Sequence, residues 1–566
     1  MAAGIWTRSV AAGFALVCLA ACSGGETVLG RIDATDAADG DESSVEVDGD
    51  DGGGDADADD AAGDDGSADA DDGGGPPVVV WEECPLRIDG TPPGTAECAV
   101  VELPLNGTAP DGRTIGIRVQ RVRAVSPRRK GQVWLLDGGG AGVVFGQLIQ
   151  EFASLDPRWD WYAPDHRGAG GSDRLGCPEQ EDLASEGGFE ITPSEWDGCI
   201  AHLRATWGDD LAHYTTTNAA RDLGTLIELL REPGEDVFLF GHSIATYTIF
   251  RYLQLHPDRV TGVVLDTILP PGTTMPEVAF ADDANGETIF GLCGADPLCS
   301  SKLGPDPWAT VTRVFDELEA GSCPGFSALL PEPWGERWWL RRLLFGISWE
   351  WFLRPFMPAV VYRLDRCDAA DVEAVAQMLP LVLLGPPAPE SQQISDSLLT
   401  HVVLSEMWPE PPPDAATLVA ALDRLLFFPD IVMQAAEKQD RWPTYERDAY
   451  VGGWPTTEVP MLMMEGALCG ATAVCAAHGL ADHFDGPYQY HYELPRSPCR
   501  PLLQSVADTP TGLPCGEDLF FQFIDNPLVE PDASCVDEMY PLDFAGNPDH
   551  SMTIFGTSDL WENGGT

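Results

Sequence analysis

The residues best placed to do chemistry are Gly241-His242-Ser243-Ile244-Ala245. A serine hydroxyl attacks a carbonyl only when its surroundings activate it. Here residues 237–240 form an apolar run of the kind that fills a buried strand, and residues 245–255 carry Ile249, Tyr252 and Leu253 at helical spacing. The join between them is too short for an ordinary loop. A serine on such a strand-to-helix turn stands above the sheet edge, and the first helix amides face the oxyanion that forms on attack. The pattern is Gly-x-Ser-x-Ala, one methyl away from Gly-x-Ser-x-Gly. The plainer alternative is a serine that caps a crossover helix.

A second feature follows the apolar run at residues 133–136, in Asp137-Gly-Gly-Gly-Ala-Gly142. No Gly-Lys-Ser/Thr follows, so this is not a phosphate loop. Its amides suit the other half of an oxyanion hole, which comes from the loop after an earlier strand.

The elements that must position these two turns read as strands and helices in alternation. Residues 99–104, 114–124, 133–136, 260–266 and 459–464 have strand character, residues 159–174 read as a strand and its loop, residues 488–494 suit an edge strand, residues 214–230 a helix, and residues 517–523 a short closing helix. Residues 270–458 break the rhythm with helical, tryptophan-rich sequence, which reads as a cap over the cleft with aromatics on its underside. After the elbow helix a strand ends in Asp266, while Asp165 and Arg167 are positioned to pair beside a glycine turn.

Composition narrows the function. The 566 residues carry 32 basic and 91 acidic side chains, a formal charge of -59. That excludes the basic footprint of nucleic-acid binding and simple adhesion to an anionic bilayer. Residues 33–72 hold 18 acids and no Lys or Arg, a self-repelling, low-hydrophobicity segment that reads as a disordered tether. Its Asp-rich runs match no EF-hand loop. Fifteen cysteines suit an oxidising compartment. At the start, Arg8, a short apolar core and Leu19-Ala20-Ala21-Cys22 resemble the lipobox of bacterial lipoproteins. That resemblance implies lipidation at Cys22 and, since Ser23 rather than Asp follows, the outer membrane.

The larger pattern resembles the serine-peptidase branch of the α/β-hydrolases, with the proline iminopeptidases and secreted tripeptidyl aminopeptidases. It is carried by Gly138-Gly-Gly-Ala-Gly142, Asp165-His-Arg-Gly-Ala-Gly-Gly-Ser-Asp173, Tyr214-Thr-Thr-Thr-Asn-Ala-Ala-Arg-Asp-Leu223, the elbow, Val263-Val-Leu-Asp266 and the final Asp525-Asn-Pro…Pro531-Asp-Ala-Ser-Cys535. It implies an α/β fold, a mostly parallel sheet with flanking helices and a helical cap inserted between strands six and seven. The expected division is a signal peptide at 1–21, a tether at 22–77, hydrolase core at 78–270, cap at 271–458 and core again at 459–566. The resemblance makes Ser243 the nucleophile, with Ile244 and the amides of Gly139, Gly140, Ala141, Gly142 and Val144 around the oxyanion. Glu406, in Leu404-Ser-Glu-Met-Trp408, resembles the family's cap glutamate for a substrate amine.

The rest of the triad departs. The family's acid turn reads Gly466-Ala-Leu-Cys469 here, and its base turn reads Pro498-Cys499. Acid and base touch in a working triad, so a Cys469–Cys499 bond fits the resemblance. Residue counting also suits Cys84–Cys98, Cys177–Cys199, Cys293–Cys299, Cys323–Cys367 and Cys515–Cys535, with Cys469–Cys475 as the competing pair. Displaced bases are sought at His478, His483 and His491, and a displaced acid at Asp266. No cofactor or metal is called for, and the cysteine spacing matches no compact zinc pattern. Two functions are expected to compete: a serine hydrolase acting on peptide, amide or ester bonds, including N-terminal substrates, and a silent binding lipoprotein of the cell envelope.

Overall fold

The computed structural model describes residues 79–86, 94–138, 146–182, 184–187, 191–330, 334–380, 395–470 and 479–563. Among the described residues nine strands form one sheet: β1 (Glu82–Leu86), β2 (Gly94–Pro104), β3 (Thr114–Val122), β4 (Gly131–Leu136), β5 (Trp159–Pro164), β6 (Asp236–His242), β7 (Gly262–Asp266), β8 (Met461–Gly466) and β9 (Gln489–Leu494). Their order is β1-β2-β3-β5-β4-β6-β7-β8-β9. The run from β5 to β9 is parallel, and β1 to β3 are antiparallel. This is the mostly parallel α/β sheet that the sequence predicts, with β1 added at one edge.

The central strands are apolar throughout because both faces are covered. Val133 and Leu135 of β4 pack with Phe152 and Phe520 on one face, while Trp134 and Leu136 join the core on the other. Helix α1 (Gly146–Leu155) lies on the first face, and α2 (Thr216–Leu230) and α3 (Ile244–Leu255) on the second. The chain reverses its strand order around β4, so the ends of β4 and β6 flank the crevice where open α/β sheets bind ligands.

Between β7 and β8 the described residues contain ten α-helices. With β1 counted, the cap expected between strands six and seven falls here. Two helices matter below: α4 (Met275–Ala295) and α5 (Asp396–Glu406). Much of the insertion has its own apolar core, built on residues such as Phe315, Leu343 and Val360. The chain's last segment completes that core with Phe544, Phe555, Leu560 and Trp561. Arg363 donates to the carbonyls of Asp559, Leu560 and Glu562. Arg366 pairs with Glu562, and Trp561 Nε1 donates to the Phe544 carbonyl. The C-terminal segment is therefore a strap from the sheet across the helical layer.

Among the described residues there are six disulfides: Cys84–Cys98, Cys177–Cys199, Cys293–Cys299, Cys323–Cys367, Cys469–Cys499 and Cys515–Cys535. Of the two pairings left open for Cys469, the structure has the one to Cys499. Asp165 does not pair with Arg167. Arg167 instead forks onto Asp222 with two 2.7 Å bonds, and Asp165 accepts from Arg118. Both oxygens of Asp222 match the planar fork of Arg167, while Asp165 is turned to Arg118 and the Gly171 amide.

Candidate functional site

Ser243 joins β6 to α3 with φ 57° and ψ -127°. A non-glycine residue held there costs about 1–3 kcal/mol and persists only where its surroundings fix it. Here the Ser243 amide donates to the Asp266 carbonyl at 3.0 Å, and the Thr246 amide donates back to the Ser243 carbonyl at 2.8 Å. Ala245, the extra methyl of the motif, is buried against this turn. Among the described residues no hydrogen bond reaches Ser243 Oγ.

Leu136 of β4 lies opposite Gly241 of β6, which brings Gly138 against the elbow. A Cβ on Gly138 would fall 2.9 Å from Ser243 Cβ and 3.3 Å from the Ile244 amide nitrogen. Only glycine lets the backbone pass this close. The Ile244 amide opens α3 and is one of the donors that a helix leaves without an intrahelical partner, beside the Ser243 side chain. Gly139, Gly140, Ala141, Gly142 and Val144 lie outside the described residues.

The acid and base turns meet directly. A Cβ on Gly466 would lie 2.0 Å from the Pro498 carbonyl, and the Leu468 amide donates to Ser497 at 3.1 Å. In this contact Cys469 and Cys499 form a disulfide, with Cα atoms 4.6 Å apart and both residues buried. The Cys499 carbonyl accepts from Thr267 Oγ1 at 2.8 Å and from His242 Nε2 at 2.9 Å. Because a carbonyl only accepts, His242 must carry its proton on Nε2. Burial holds its pKa down to about 4, so the ring is neutral. His242 is thus spent on the base turn, with Trp349 edge-on to its ring.

The displaced triad does not assemble among the described residues. His491 is exposed on the edge strand β9. His483 stacks on Trp454 at 4.0 Å, beside Phe250 in the second half of α3 and away from the elbow. His478 lies outside the described residues. Asp266 accepts from the Leu502 amide and Thr267 Oγ1, each at 3.2 Å, and no histidine is among its partners. Burial raises its pKa to about 7. Strand alternation explains His491: a one-residue step puts its side chain on the opposite face from its neighbours.

Glu406 also departs from expectation. Oε1 accepts from the Thr216 amide (3.0 Å) and Tyr445 OH (2.7 Å), and Oε2 from Arg251 (3.0 Å) and Tyr247 OH (3.3 Å). Four donors fill its lone pairs, so it holds α5 to α2 and α3 and has no place left for a substrate amine.

Two groups that sequence reasoning missed flank the acid turn. Arg354 donates to the Leu468 and Ser348 carbonyls, and burial pulls its pKa down to about 9. Asp282, on α4, packs against Gly470; it is fully buried, and neither oxygen has a hydrogen-bond partner among the described residues. No periodicity in the sequence marks either, because an apolar helix face hides one charge easily. Burial raises the Asp282 pKa well above its ordinary value. The folded state then holds the proton more tightly than the unfolded chain. Below the unfolded pKa of about 3.9 there is no penalty, and above it each pH unit costs about 1.4 kcal/mol until the folded group ionises. Asp282→Asn should therefore gain thermal stability over the wild type as pH rises from 4 to 7. A melting-temperature difference that stays constant with pH would contradict the assignment.

The α/β-hydrolase fold family matches residues 134–301, from β4 into the helical insertion. With the sheet and the elbow, this match shows an α/β-hydrolase fold, and the curated relatives that the chain resembles are aminopeptidases. Tripeptidyl aminopeptidases of Streptomyces lividans and Streptomyces coelicolor are each 27% identical over 215 residues. The match covers 34% of this chain and 38% of each relative, so the chain spans well under half the length of the curated relatives it matches. Among solved structures, a mutant of the Vigna radiata epoxide hydrolase is 15% identical with a TM-score of 0.28, covering 70% of this chain and 90% of that one. Epoxide hydrolase A of Mycobacterium thermoresistibile is 17% identical with a TM-score of 0.29, covering 71% and 92%.

Proposed function

We propose that this protein holds a peptide, amide or ester carbonyl at Ser243 rather than turning it over. The observation that carries this reading is the Cys469–Cys499 disulfide at the two turns where acid and base would stand. The elbow and the Ile244 amide remain, so a carbonyl oxygen still finds its donor. The hydroxyl, however, lacks a base among the described residues, and a serine is a weak nucleophile at its free pKa. Losing triad function costs many powers of ten, while an oxyanion hole and binding retain some rate over water. The test is fluorophosphonate labelling of folded wild type against Ser243→Ala. Equal, negligible labelling of both is expected.

The strained Ser243 backbone favours a second reading, a slow serine hydrolase, since such strain is kept where it is used. The names of the curated relatives point the same way, to release of peptides from an N-terminus. Labelling that depends on Ser243 and is complete within minutes would select this reading instead.

The proposal includes an envelope location through lipidated Cys22 and the acidic segment after it. Cys22→Ser should move the protein from the detergent phase to the aqueous phase on phase separation. A native chain that already partitions into water would refute the anchor.

A further inference from the structure

A cavity of about 70 Å³ lies between the sheet, α2, α3 and the cap helix α5. It reaches Gly138 and Ile244, the two residues that frame the oxyanion position, and it is roofed by Leu398, Leu399 and Val402 of α5. We infer that this cavity is a side-chain subsite, taking a small aliphatic group next to the carbonyl held at Ser243; the inference rests on that reading of Ser243.

The chemistry of the walls supports an aliphatic occupant. The lining is mostly carbon, from residues such as Leu136, Leu223 and Ile244. Of the charged groups that reach it, Asp137 has an interaction of its own, and Arg167, Asp222, Asp165 and His166 are engaged with one another or with neighbouring groups. Arg167 is forked onto Asp222, and Asp165 accepts from Arg118 and from the Gly171 amide. His166 has its Nδ1 on the Arg167 carbonyl, and burial holds its pKa down to about 4, so it is uncharged at neutral pH. A charged ligand group would enter without a partner, which is costly. A branched group of three or four carbons would replace loosely held water with apolar contact. Size sets the other limit: one probe-sized water needs roughly 10–15 Å³ of such space, so the cavity has room for a few waters but not for an indole.

Placement makes this a specificity device. The floor belongs to the sheet and to α3, which the elbow geometry fixes. The roof belongs to α5, which is held by Glu406 at its C-terminal end. Substitution on α5 therefore reshapes the subsite without touching Ser243 or the Ile244 amide.

The test is calorimetric titration with three tripeptide amides, Ala-Ala-Gly, Ala-Ala-Val and Ala-Ala-Arg. The valine peptide is expected to bind at least about tenfold more tightly than the glycine peptide, and the arginine peptide no better than glycine. Val402→Trp, which fills the cavity, should remove the valine preference while leaving glycine-peptide affinity within about twofold. That retained affinity also shows that the variant is folded. Leu398→Ala, which enlarges the cavity, should shift preference toward a leucine peptide. Equal affinity for the glycine and valine peptides, or a valine preference that survives Val402→Trp, overturns the subsite while leaving the reading of Ser243 intact. Failure of all three peptides to bind to wild type overturns that reading and the subsite with it.

Discussion

Cys469→Asp combined with Cys499→His is expected to raise hydrolysis of peptide p-nitroanilides and p-nitrophenyl esters at least about 10³-fold over the wild type. The reasoning is geometric. The disulfide holds the two turns with Cα atoms 4.6 Å apart, close enough for an acid to touch an imidazole. The Cys499 carbonyl already lies within hydrogen-bond reach of His242, the residue before Ser243. An imidazole at 499 would thus stand on a turn that contacts the residue next to the nucleophile. Removing triad members costs between about 10⁴ and 10⁶ in rate in serine proteases, so restoring both should recover a sizeable part. The expected cost is stability, because opening the 30-residue loop gives up about 3–4 kcal/mol. Each single substitution should stay inactive, one lacking the base and the other its orienting acid. Adding Ser243→Ala to the double variant should return the rate to background. A folded double variant whose rate ignores Ser243 would show that these turns do not face the nucleophile.

Glu406→Ala is expected to destabilise the protein by about 3–5 kcal/mol, measured as a shift in urea midpoint. Arg251 and Glu406 are 2% and 1% exposed and lie 3.0 Å apart. Cutting Glu406 leaves the buried guanidinium with only the half-exposed Asp448, 3.7 Å away, as counter-ion, which is far more costly than never having had the pair. Tyr247, Tyr445 and the Thr216 amide lose their acceptor in the same step. The double variant Arg251→Met, Glu406→Leu should recover much of the loss, since it removes both charges. A loss under about 1 kcal/mol for Glu406→Ala would mean that water reaches the pair.

The sheet and the elbow were legible because local pattern suffices for them. Residues 237–240 are apolar where both faces of β6 are covered, and α3 keeps helical spacing from Ile249 to Leu253. The disulfide was legible through the resemblance, since it fills two known turns. Partnerships across long separations were not. The bond from His242 to the Cys499 carbonyl spans 257 positions, and nothing local to His242 directs it there. Glu406 shows the same limit: its partners are up to 190 residues away, and a buried carboxylate with four donors reads in sequence like any cap acid. Strand β1 was missed because Pro85 lies within it and Gly90, Pro92 and Pro93 come soon after, so its five paired residues read as part of a turn.

The C-terminal strap has a kinematic consequence. A lid joined to a body at two chain crossings can swing about the line between them. Here the helical layer is pinned a third time, by the carbonyls of Asp559, Leu560 and Glu562 on Arg363 and by Glu562 on Arg366. A third pin resists that swing. Traffic to the cleft then depends on short segments moving aside, a nanosecond-to-microsecond process, rather than on the microsecond-to-millisecond swing of a whole lid.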